Sequence, residues 1–455
     1  MRLLRWLLPG VKVKRWVLLG SAGLLLCAFG LATLVGAEFL GAVERSYVRF
    51  FLETTGHLLA PFWSGLLSVA GGILLLALSV GRILGTLVPA PRGRLADAIF
   101  DRRRLDGGPR IVAIGGGTGL PVLLRGLKEY TGNITAIVTV ADDGGSSGRL
   151  RGDLGMPAPG DIRNCLVALA DTEPLMEELF QYRFEEGGLK GHSFGNLFIA
   201  ALSQVTGDFE LAVRESHKVL AVRGQVLPAT LGAAALCAEL DDGTVVRGES
   251  AIPEAVAERQ RAGREVRIRR VYLEGRAEPP PAALRAIAEA DLVILGPGSL
   301  YTSILPNLVV PGVAEALAAS PAVKVYVCNV MTQPGETRGY TASDHVRALR
   351  EHAREGAVDY VLVNVQPVPA DLLERYAAEG AHPVRVDRAK VRALGPQVVE
   401  ADLLYCQGYV RHDAAKLAAA ILRLALRDRR FSRRLGLFEL CALRERLRDH
   451  VSGTR

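Results

Sequence analysis

The sequence predicts an α/β fold in which helices cover both faces of a mostly parallel sheet, preceded by a hairpin of two membrane-spanning helices. From residue 109 onwards, short and continuously apolar segments alternate with helical patterns, and glycine-rich loops follow several of the apolar segments. Two long uncharged runs near the N-terminus predict the hairpin. The chain has 455 residues, 49% of them hydrophobic, which is enough for both parts.

The predicted hairpin comprises the uncharged runs at residues 16–37 and 58–81. Each run is about as long as the hydrocarbon core of a bilayer requires. A cleavable signal peptide is the alternative for the first run, but the run is longer than the apolar region of such a peptide, and no convincing cleavage site follows it. Basic residues flank the pair on its outer sides, so the positive-inside rule places the soluble domain in the cytoplasm. We therefore expect residues 1–88 to anchor the chain in the cell membrane with two spans.

The remaining chain divides by composition into a linker at residues 89–108, an α/β domain at 109–428 and a basic C-terminal tail at 429–455. The net charge is +7, and the excess of basic residues lies towards the two ends of the chain. We interpret it as charge beside a lipid bilayer, with no nucleic-acid partner. The tail itself is open to two interpretations, a solvated helix or an element that contacts the membrane surface or a partner. The six cysteines are far apart, which is typical of reduced thiols.

Within the domain, the elements follow from apolar runs and periodicity. Strands are predicted at residues 110–114, 134–140, 292–295, 323–328 and 360–363. Helices are predicted at residues 120–130, 161–170, 194–205, 209–220, 284–289, 313–318, 343–355 and 414–426. Residues 230–274 alternate apolar with charged side chains, which predicts a small, partly exposed β-region beside the sheet.

The first strand runs directly into a glycine-rich loop formed by Gly115, Gly116, Gly117, Thr118 and Gly119. Between a strand and a helix, such a loop lets backbone N–H groups approach a phosphate, and the helix dipole favours the negative charge. Leu120 stands where a dinucleotide fingerprint has its third glycine, and no Gly-Lys-Ser/Thr of a P-loop follows. The loop therefore predicts phosphate binding without identifying the nucleotide.

The second strand ends in Asp142 and Asp143, followed by the letters GGSSGR. A carboxylate at this position can accept hydrogen bonds from ribose hydroxyls or hold Mg²⁺. The alternative is a turn closed by an aspartate side chain, but two adjacent aspartates before this loop exceed what a turn requires. Asp142 and Asp143 are therefore the candidate catalytic residues and metal ligands, if the protein is an enzyme.

Further polar residues stand at strand ends and at helix starts of the predicted sheet. Asp161 is predicted to cap a helix, with Arg163 facing a ligand. The other candidate ligand contacts are Asn164, His192, Asn196, Gly296, Gly298, Ser299 and Asn329. The carboxyl ends of parallel strands meet at one edge of a sheet, so these residues predict a shared binding cleft. No nucleophile elbow, HExxH or paired-cysteine zinc motif occurs, so any chemistry would be electrostatic.

Six blocks in order resemble the bacterial gluconeogenesis-factor family, a relative of 2-phospho-L-lactate transferase. They read IVAIGGGTGLPVLLRGLK, VTVADDGGSSGRLR, PGDIRNCLVALAD, GHSFGNLFIAAL, ILGPGSLYTSILPNLVVPG and CNVMTQPGET. The resemblance covers about residues 110–426 and implies a Rossmann-like domain. It implies a UDP-sugar ligand such as UDP-N-acetylglucosamine and a part in cell-wall synthesis, cell shape and gluconeogenic growth. Its site residues would be Gly116–Gly119 at phosphate, Asp142 and Asp143 at the acceptor and metal position, and Asn196, Gly298 and Ser299 in the cleft.

Three functions compete on this basis. A nucleotide-sugar-binding regulator, working with cell-wall synthesis or regulatory proteins and able to form a homo-oligomer, is preferred. The alternative is a Mg²⁺-dependent phospholactyl or phosphoryl transferase acting on a nucleotide-linked or deazaflavin substrate. An NAD-linked dehydrogenase is disfavoured because the third fingerprint glycine is missing.

Overall fold

A computed structural model of the chain describes residues 41–42, 45–46, 49, 105–171, 174–232, 234–406 and 408–452. The predicted hairpin, apart from those few positions, and most of the predicted linker lie outside the described residues. The chain divides into two units, Met1–Asp97 and Ala98–Arg455, and every element below belongs to the second. Among the described residues no single helix is long and apolar enough to cross a membrane. One pair of short helices, Leu300–Leu308 and Val313–Ala319, is long and apolar enough when the two are taken together, but the pair is bent by 77°.

A seven-stranded sheet forms the centre of this unit, and all of its strands run parallel, which confirms the α/β part of the predicted fold. Its strands are β1 (Ile111–Gly115), β2 (Ile134–Val138), β3 (Gln225–Pro228), β7 (Leu292–Leu295), β8 (Val323–Val327), β9 (Tyr360–Asn364) and β10 (Gln397–Ala401). They lie in the order β10-β9-β8-β7-β1-β2-β3. The central strands are short and fully buried because both faces of the sheet are covered.

The two faces carry separate apolar cores. Ile111 and Ala113 of β1 belong to one core, and Val112 and Ile114 belong to the other, as the alternation of side chains along a strand requires.

The helices are α1 (Gly119–Leu127), α2 (Gly145–Leu154), α3 (Gly160–Leu169), α4 (Pro174–Gln181), α5 (Phe194–Thr206), α6 (Phe209–Val219), α7 (Ala251–Arg261), α8 (Pro281–Glu289), α9 (Leu305–Leu308), α10 (Val313–Ala319), α11 (Ala342–His352), α12 (Ala370–Ala378), α13 (Arg388–Ala393), α14 (Ala414–Arg427), α15 (Arg429–Arg434) and α16 (Leu437–Ser452). Helices α1, α3 and α14 pack in the first core, whereas α8, α10 and α11 pack in the second.

Two smaller β-elements lie beside the sheet. The predicted β-region is a three-stranded antiparallel sheet of β4 (Ala235–Leu240), β5 (Val245–Arg247) and β6 (Ile268–Glu274), interrupted by the unpredicted helix α7. A hairpin of β11 (Leu404–Cys406) and β12 (Val410–His412) follows β10. This hairpin was not predicted, although it forms one wall of the cleft described below.

The predicted C-terminal tail contributes to the first core. Phe431, Leu435, Leu443 and Leu447 of this segment are buried in the same cluster as the central strands. Arg446 donates a hydrogen bond to the backbone oxygen of Glu129 at 2.9 Å. Helices α15 and α16 are therefore packed on the domain through their apolar sides.

Candidate functional site

The strand order changes direction between β1 and β7. From β1 the chain proceeds to β2 and β3 on one side, whereas from β7 it proceeds through β8 and β9 to β10 on the other. The loops that leave β1 and β7 therefore diverge and open a crevice at the carboxyl edge of the sheet. Both predicted glycine-rich loops, residues 115–119 and 296–299, leave the sheet at this point.

The two loops approach each other so closely that glycine is required at the contact. A Cβ on Gly119 would lie 2.6 Å from the carbonyl oxygen of Pro297, and a Cβ on Gly298 would lie 3.2 Å from that of Gly116. Gly117 has a φ of +63°, which L side chains rarely adopt. The loops therefore form one backbone-lined surface.

Asp161 fixes the position of the first glycine-rich loop through a hydrogen bond. The backbone N–H of Gly117 donates to Oδ2 of Asp161 at 2.6 Å. Asp161 does not cap α3 as predicted, because Pro159 occupies that position and Asp161 lies in the first turn. Burial raises the pKa of Asp161 to about 6, and the neighbouring carboxylate of Asp142 adds to the shift.

The start of α1 keeps free donors towards the crevice. Thr118 is the N-cap residue, its side chain makes no capping hydrogen bond, and no acidic residue lies in the first turn. The first N–H groups of a helix have no intrahelical partner, and the helix dipole adds positive potential there. This end of the crevice is therefore suited to an anion.

The second loop is held by a chain of amides and hydroxyls. Asn329 donates to Oε1 of Gln333 at 3.1 Å, and Nε2 of Gln333 donates to Oγ of Ser299 at 2.7 Å. Behind this chain, the buried carboxylate of Glu336 accepts the backbone N–H of Tyr301 at 3.1 Å and the hydroxyl of Thr302 at 2.9 Å. Burial raises the pKa of Glu336. The polar loop after β8 therefore fixes the position of the loop after β7.

Between the loops lies a cavity of about 210 Å³. Six of the predicted residues line it, namely Gly117, Thr118, Gly119, Gly298, Ser299 and Asn329. The other lining residues are Val122, Pro297, Ser303, Val330, Met331, Gln333, Tyr376, Val410, Arg411 and His412. No carboxylate is among them. Burial lowers the pKa of His412 to about 4, so this imidazole is neutral and Arg411 carries the charge of the cavity wall.

The wall opposite α1 comes from the β11–β12 hairpin and α12. The hydroxyl of Tyr376 accepts the backbone N–H of Val410 at 3.2 Å, which joins the two elements. The Arg411 guanidinium lies 5.5 Å from the ring centre of Tyr409, and that of Arg375 lies 5.0 Å from the same ring. No glycine-rich signature marks this segment in the sequence, so motif reasoning did not find Tyr376, Arg411 or His412.

The remaining predicted contacts form a second polar group on the β2 side of the first loop. There the N-termini of α2, α3 and α5 meet. Nδ1 of His192 lies 3.1 Å from Oγ of Ser146, and Nδ2 of Asn196 donates to the same hydroxyl at 3.2 Å. Oδ1 of Asn164 accepts from Arg163 at 2.7 Å, so these two side chains pair with each other. Gly115, Gly116 and Gly296 belong to the strand ends behind the cavity and do not line it.

The two aspartates of the predicted acidic pair differ in their environment. Both oxygens of Asp143 accept backbone N–H groups, from Glu249 at 3.0 Å and Ser250 at 2.9 Å, so this carboxylate holds the start of α7. Oδ1 of Asp142 accepts the N–H of Gly144 at 2.9 Å, within a local turn. In the part of the chain that the structure describes, no group of three His, Cys, Asp or Glu side chains is placed to hold a metal ion. Mg²⁺ binding by this pair stays a prediction.

Glu249 joins this acidic region and was not predicted. Burial raises its pKa to about 7, with further contributions from Asp142, Glu336, Asp143 and Asp161. No sequence pattern marks Glu249, because it reaches the aspartates only through the tertiary contact between Asp143 and α7.

Known proteins share this fold and sequence. The family described as 2-phospho-L-lactate transferase CofD matches residues 111–404. The gluconeogenesis factor of Bacillus subtilis is 53% identical over 319 residues, covering 70% of this chain and 98% of that protein. A relative from Nostoc sp., described as a putative gluconeogenesis factor, is 52% identical over 430 residues, which cover 92% of either chain. A crystal structure of a upf0052 family member from Bacillus halodurans is 52% identical, with a TM-score of 0.66, and covers 69% of this chain and 99% of that one. The chain therefore belongs to the gluconeogenesis factor family, within the wider CofD family.

Proposed function

We propose that this chain is a regulator that binds a nucleotide sugar of the UDP-N-acetylglucosamine type in the cavity between the two glycine-rich loops. The observation that carries the proposal is the charge distribution of the cavity wall. An uncapped helix N-terminus lies on one side and Arg411 on the other, with no carboxylate among the lining residues. A ligand with a diphosphate suits such a wall, because backbone N–H groups and a guanidinium both stabilise phosphate oxygens.

The other lining residues suit the two ends of such a ligand. Met331 and Val410 offer apolar surface, and Tyr376 adds a partly buried aromatic ring. A pyrimidine base binds well to such a mixed surface. Asn329 and Gln333 supply amide donors and acceptors that match sugar hydroxyl groups.

In the proposed role, ligand occupancy reports the supply of cell-wall precursor to client proteins of wall synthesis, and thereby affects cell shape and growth on gluconeogenic carbon. The predicted hairpin would hold the domain on the cytoplasmic side of the membrane, where such clients work. Support for this role comes from the family, and the sequence contains no nucleophile elbow, HExxH or paired-cysteine zinc motif that would favour an enzyme instead.

A second candidate function is a phospholactyl-type transferase. It is favoured by the acidic region of Asp142, Asp161 and Glu249. This region adjoins the first glycine-rich loop, because the Gly117 N–H donates a hydrogen bond to Asp161. Carboxylates beside a phosphate site are suited to holding Mg²⁺ for group transfer. This candidate requires Asp142 to act in turnover.

Calorimetric titration of UDP-N-acetylglucosamine, UDP and GDP into the full chain tests the proposal. Replacing Arg411 by Gln should weaken binding of the nucleotide sugar about ten- to a hundred-fold, because a hydrogen bond to a charged group contributes about 1.5–3 kcal/mol. Arg214→Gln is the matched control. Arg214 is exposed on α6 and does not line the cavity, so affinity should stay unchanged.

Equal weakening by both variants, or preference for GDP over the UDP ligands, would contradict the proposed site. Phospholactyl transfer by the purified chain that is lost in Asp142→Asn would establish the second candidate instead.

A further inference from the structure

We propose that the C-terminal helices α15 and α16 form a surface that binds anionic lipid. The proposal concerns the opposite edge of the sheet from the cleft and is independent of the ligand bound there. Two features carry it, namely arginines without acidic partners and a pair of strongly exposed apolar residues between the two helices.

The charge of this surface is concentrated in a short segment. Residues 427–452, up to the end of α16, contain eight arginines and four acidic residues, a net charge of +4 in a chain whose total is +7. Arg430 pairs with Asp359 and Asp428, and Arg434 pairs with Asp291. Within this described segment, four exposed arginines make no ion pair, namely Arg427, Arg429, Arg433 and Arg444.

Apolar side chains stand between these arginines. Leu437 is 85% exposed and Phe438 is 69% exposed, at the start of α16. At the helical repeat, Leu437 shares its face of α16 with Cys441 and Arg444, both exposed, whereas Leu443 on the other side is buried. Two adjacent exposed apolar side chains beside arginines can enter the boundary of a bilayer while the arginines stay among the lipid headgroups.

Charge decides which occupant fits this surface. A second copy of the chain would bring the same net charge of +4 against the first, which is unfavourable at short range. The cytoplasmic leaflet of a membrane supplies both anionic headgroups for the arginines and an apolar layer for Leu437 and Phe438. A lipid surface therefore satisfies both features together.

The fold places this surface away from the cleft. Arg434 donates to Oδ1 of Asp291 at 2.9 Å, and Oδ2 of the same carboxylate accepts the backbone N–H of Arg110 at 2.9 Å. Arg110 and Asp291 immediately precede β1 and β7, so the basic helices are tied to the amino edge of the sheet. The cavity lies at the carboxyl edge. Lipid binding through α15 and α16 would therefore leave the cavity open to water.

A fluorescence experiment on the full chain tests this proposal. An environment-sensitive fluorophore is attached to the exposed Cys441 in a Cys27→Ser, Cys406→Ser background, where the three other thiols are buried. The protein is reconstituted into vesicles of phosphatidylcholine alone, or of two parts phosphatidylcholine to one part phosphatidylglycerol. We expect a blue shift of emission in the anionic vesicles only, reduced by added salt.

Two variant pairs identify the cause of the shift. Each arginine near an anionic surface strengthens binding to that surface about five-fold. The double variant Arg429→Gln, Arg433→Gln should therefore weaken the binding of α15 and α16 to anionic lipid about 25-fold. The double variant Leu437→Asn, Phe438→Asn should also remove the blue shift of emission. Arg214→Gln with Arg285→Gln, at exposed positions elsewhere on the domain, is the matched control and should change nothing.

Three outcomes would overturn the proposal. The first is equal emission in both vesicle types, and the second is a shift that survives both variant pairs. The third is a shift that appears in detergent without lipid and grows with protein concentration, which would show that a second copy covers the surface. Circular dichroism confirms folding, which these exposed positions are not expected to disturb.

Discussion

Adding a single methyl group at Gly119 should separate the two glycine-rich loops and weaken ligand binding. In Gly119→Ala the new Cβ would lie 2.6 Å from the carbonyl oxygen and 2.8 Å from the carbonyl carbon of Pro297. Ordinary contacts of this kind begin at 3.4 Å, so the loops must move apart by several tenths of an ångström. The neighbour is backbone and cannot rotate away.

The magnitude follows from two costs. Overpacking against a rigid neighbour lowers the free energy of unfolding by about 1–3 kcal/mol. Displacing the start of α1 would also disturb at least one hydrogen bond from a loop N–H to the phosphate of the proposed ligand, which contributes about 1.5–3 kcal/mol. The dissociation constant for UDP-N-acetylglucosamine should therefore rise about ten- to a hundred-fold.

The assay compares this variant with Gly152→Ala, the same chemical change in α2, where nothing lies within 4 Å of the added Cβ. Alanine is about 0.5–1 kcal/mol better than glycine inside a helix, so the control should gain stability and keep wild-type affinity. Calorimetry measures affinity, and urea unfolding measures stability. Wild-type affinity in a folded Gly119→Ala protein would refute the argument that loop contact positions the phosphate site.

Three further predictions concern titratable side chains. Asp143→Asn should lower the free energy of unfolding in urea by about 1–3 kcal/mol, because one backbone N–H at the start of α7 loses its acceptor. Asp142→Asn should lower it less, because Asp142 accepts one hydrogen bond, within a local turn. Glu249 has a pKa raised to about 7 and is unfavourable when ionised, so Glu249→Gln should gain up to about 3 kcal/mol at about pH 8 and almost nothing at pH 4. Burial lowers the pKa of His217 to about 4, so stability should fall by up to about 3 kcal/mol as pH drops from 6.5 to 4, and His217→Gln should show a flatter pH profile. Unchanged pH profiles in the last two variants would show that these groups do not control stability.

Much of the fold was predictable because its central strands and amphipathic helices leave strong local patterns. All five predicted strands and all eight predicted helices are present within a few residues. In the seven-stranded sheet, the missed strands are the two edge strands, β3 and β10, where one side is unpaired and the sequence is less apolar. Helix α2 was missed because its sequence, GSSGRLRGDL, has the composition of a loop and only three buried residues.

The site was predictable where backbone geometry needs glycine and not where tertiary contacts bring ordinary residues together. Gly117, Gly119 and Gly298 leave a visible pattern, because a side chain would be strained at Gly117, would clash at Gly119 and would be tightly packed at Gly298. Tyr376 and Arg411 reach the cavity through a helix and a hairpin whose local sequence has no special feature. The sequence also could not show that Asp143 is engaged by α7 while its neighbour Asp142 is not.

The cavity between β1 and β7 is assembled from distant parts of the chain, which has a consequence for biosynthesis. The cavity wall draws on segments that run from Gly117 near the start of the domain to His412 near its end. A ribosome synthesises a chain from its N-terminus, so the first glycine-rich loop emerges long before the β11–β12 hairpin that completes the cavity. A nascent or truncated chain that stops before β12 lacks one wall of the cavity. In the proposed role, only molecules whose domain is fully synthesised and folded can respond to the precursor, so incomplete chains cannot compete for it.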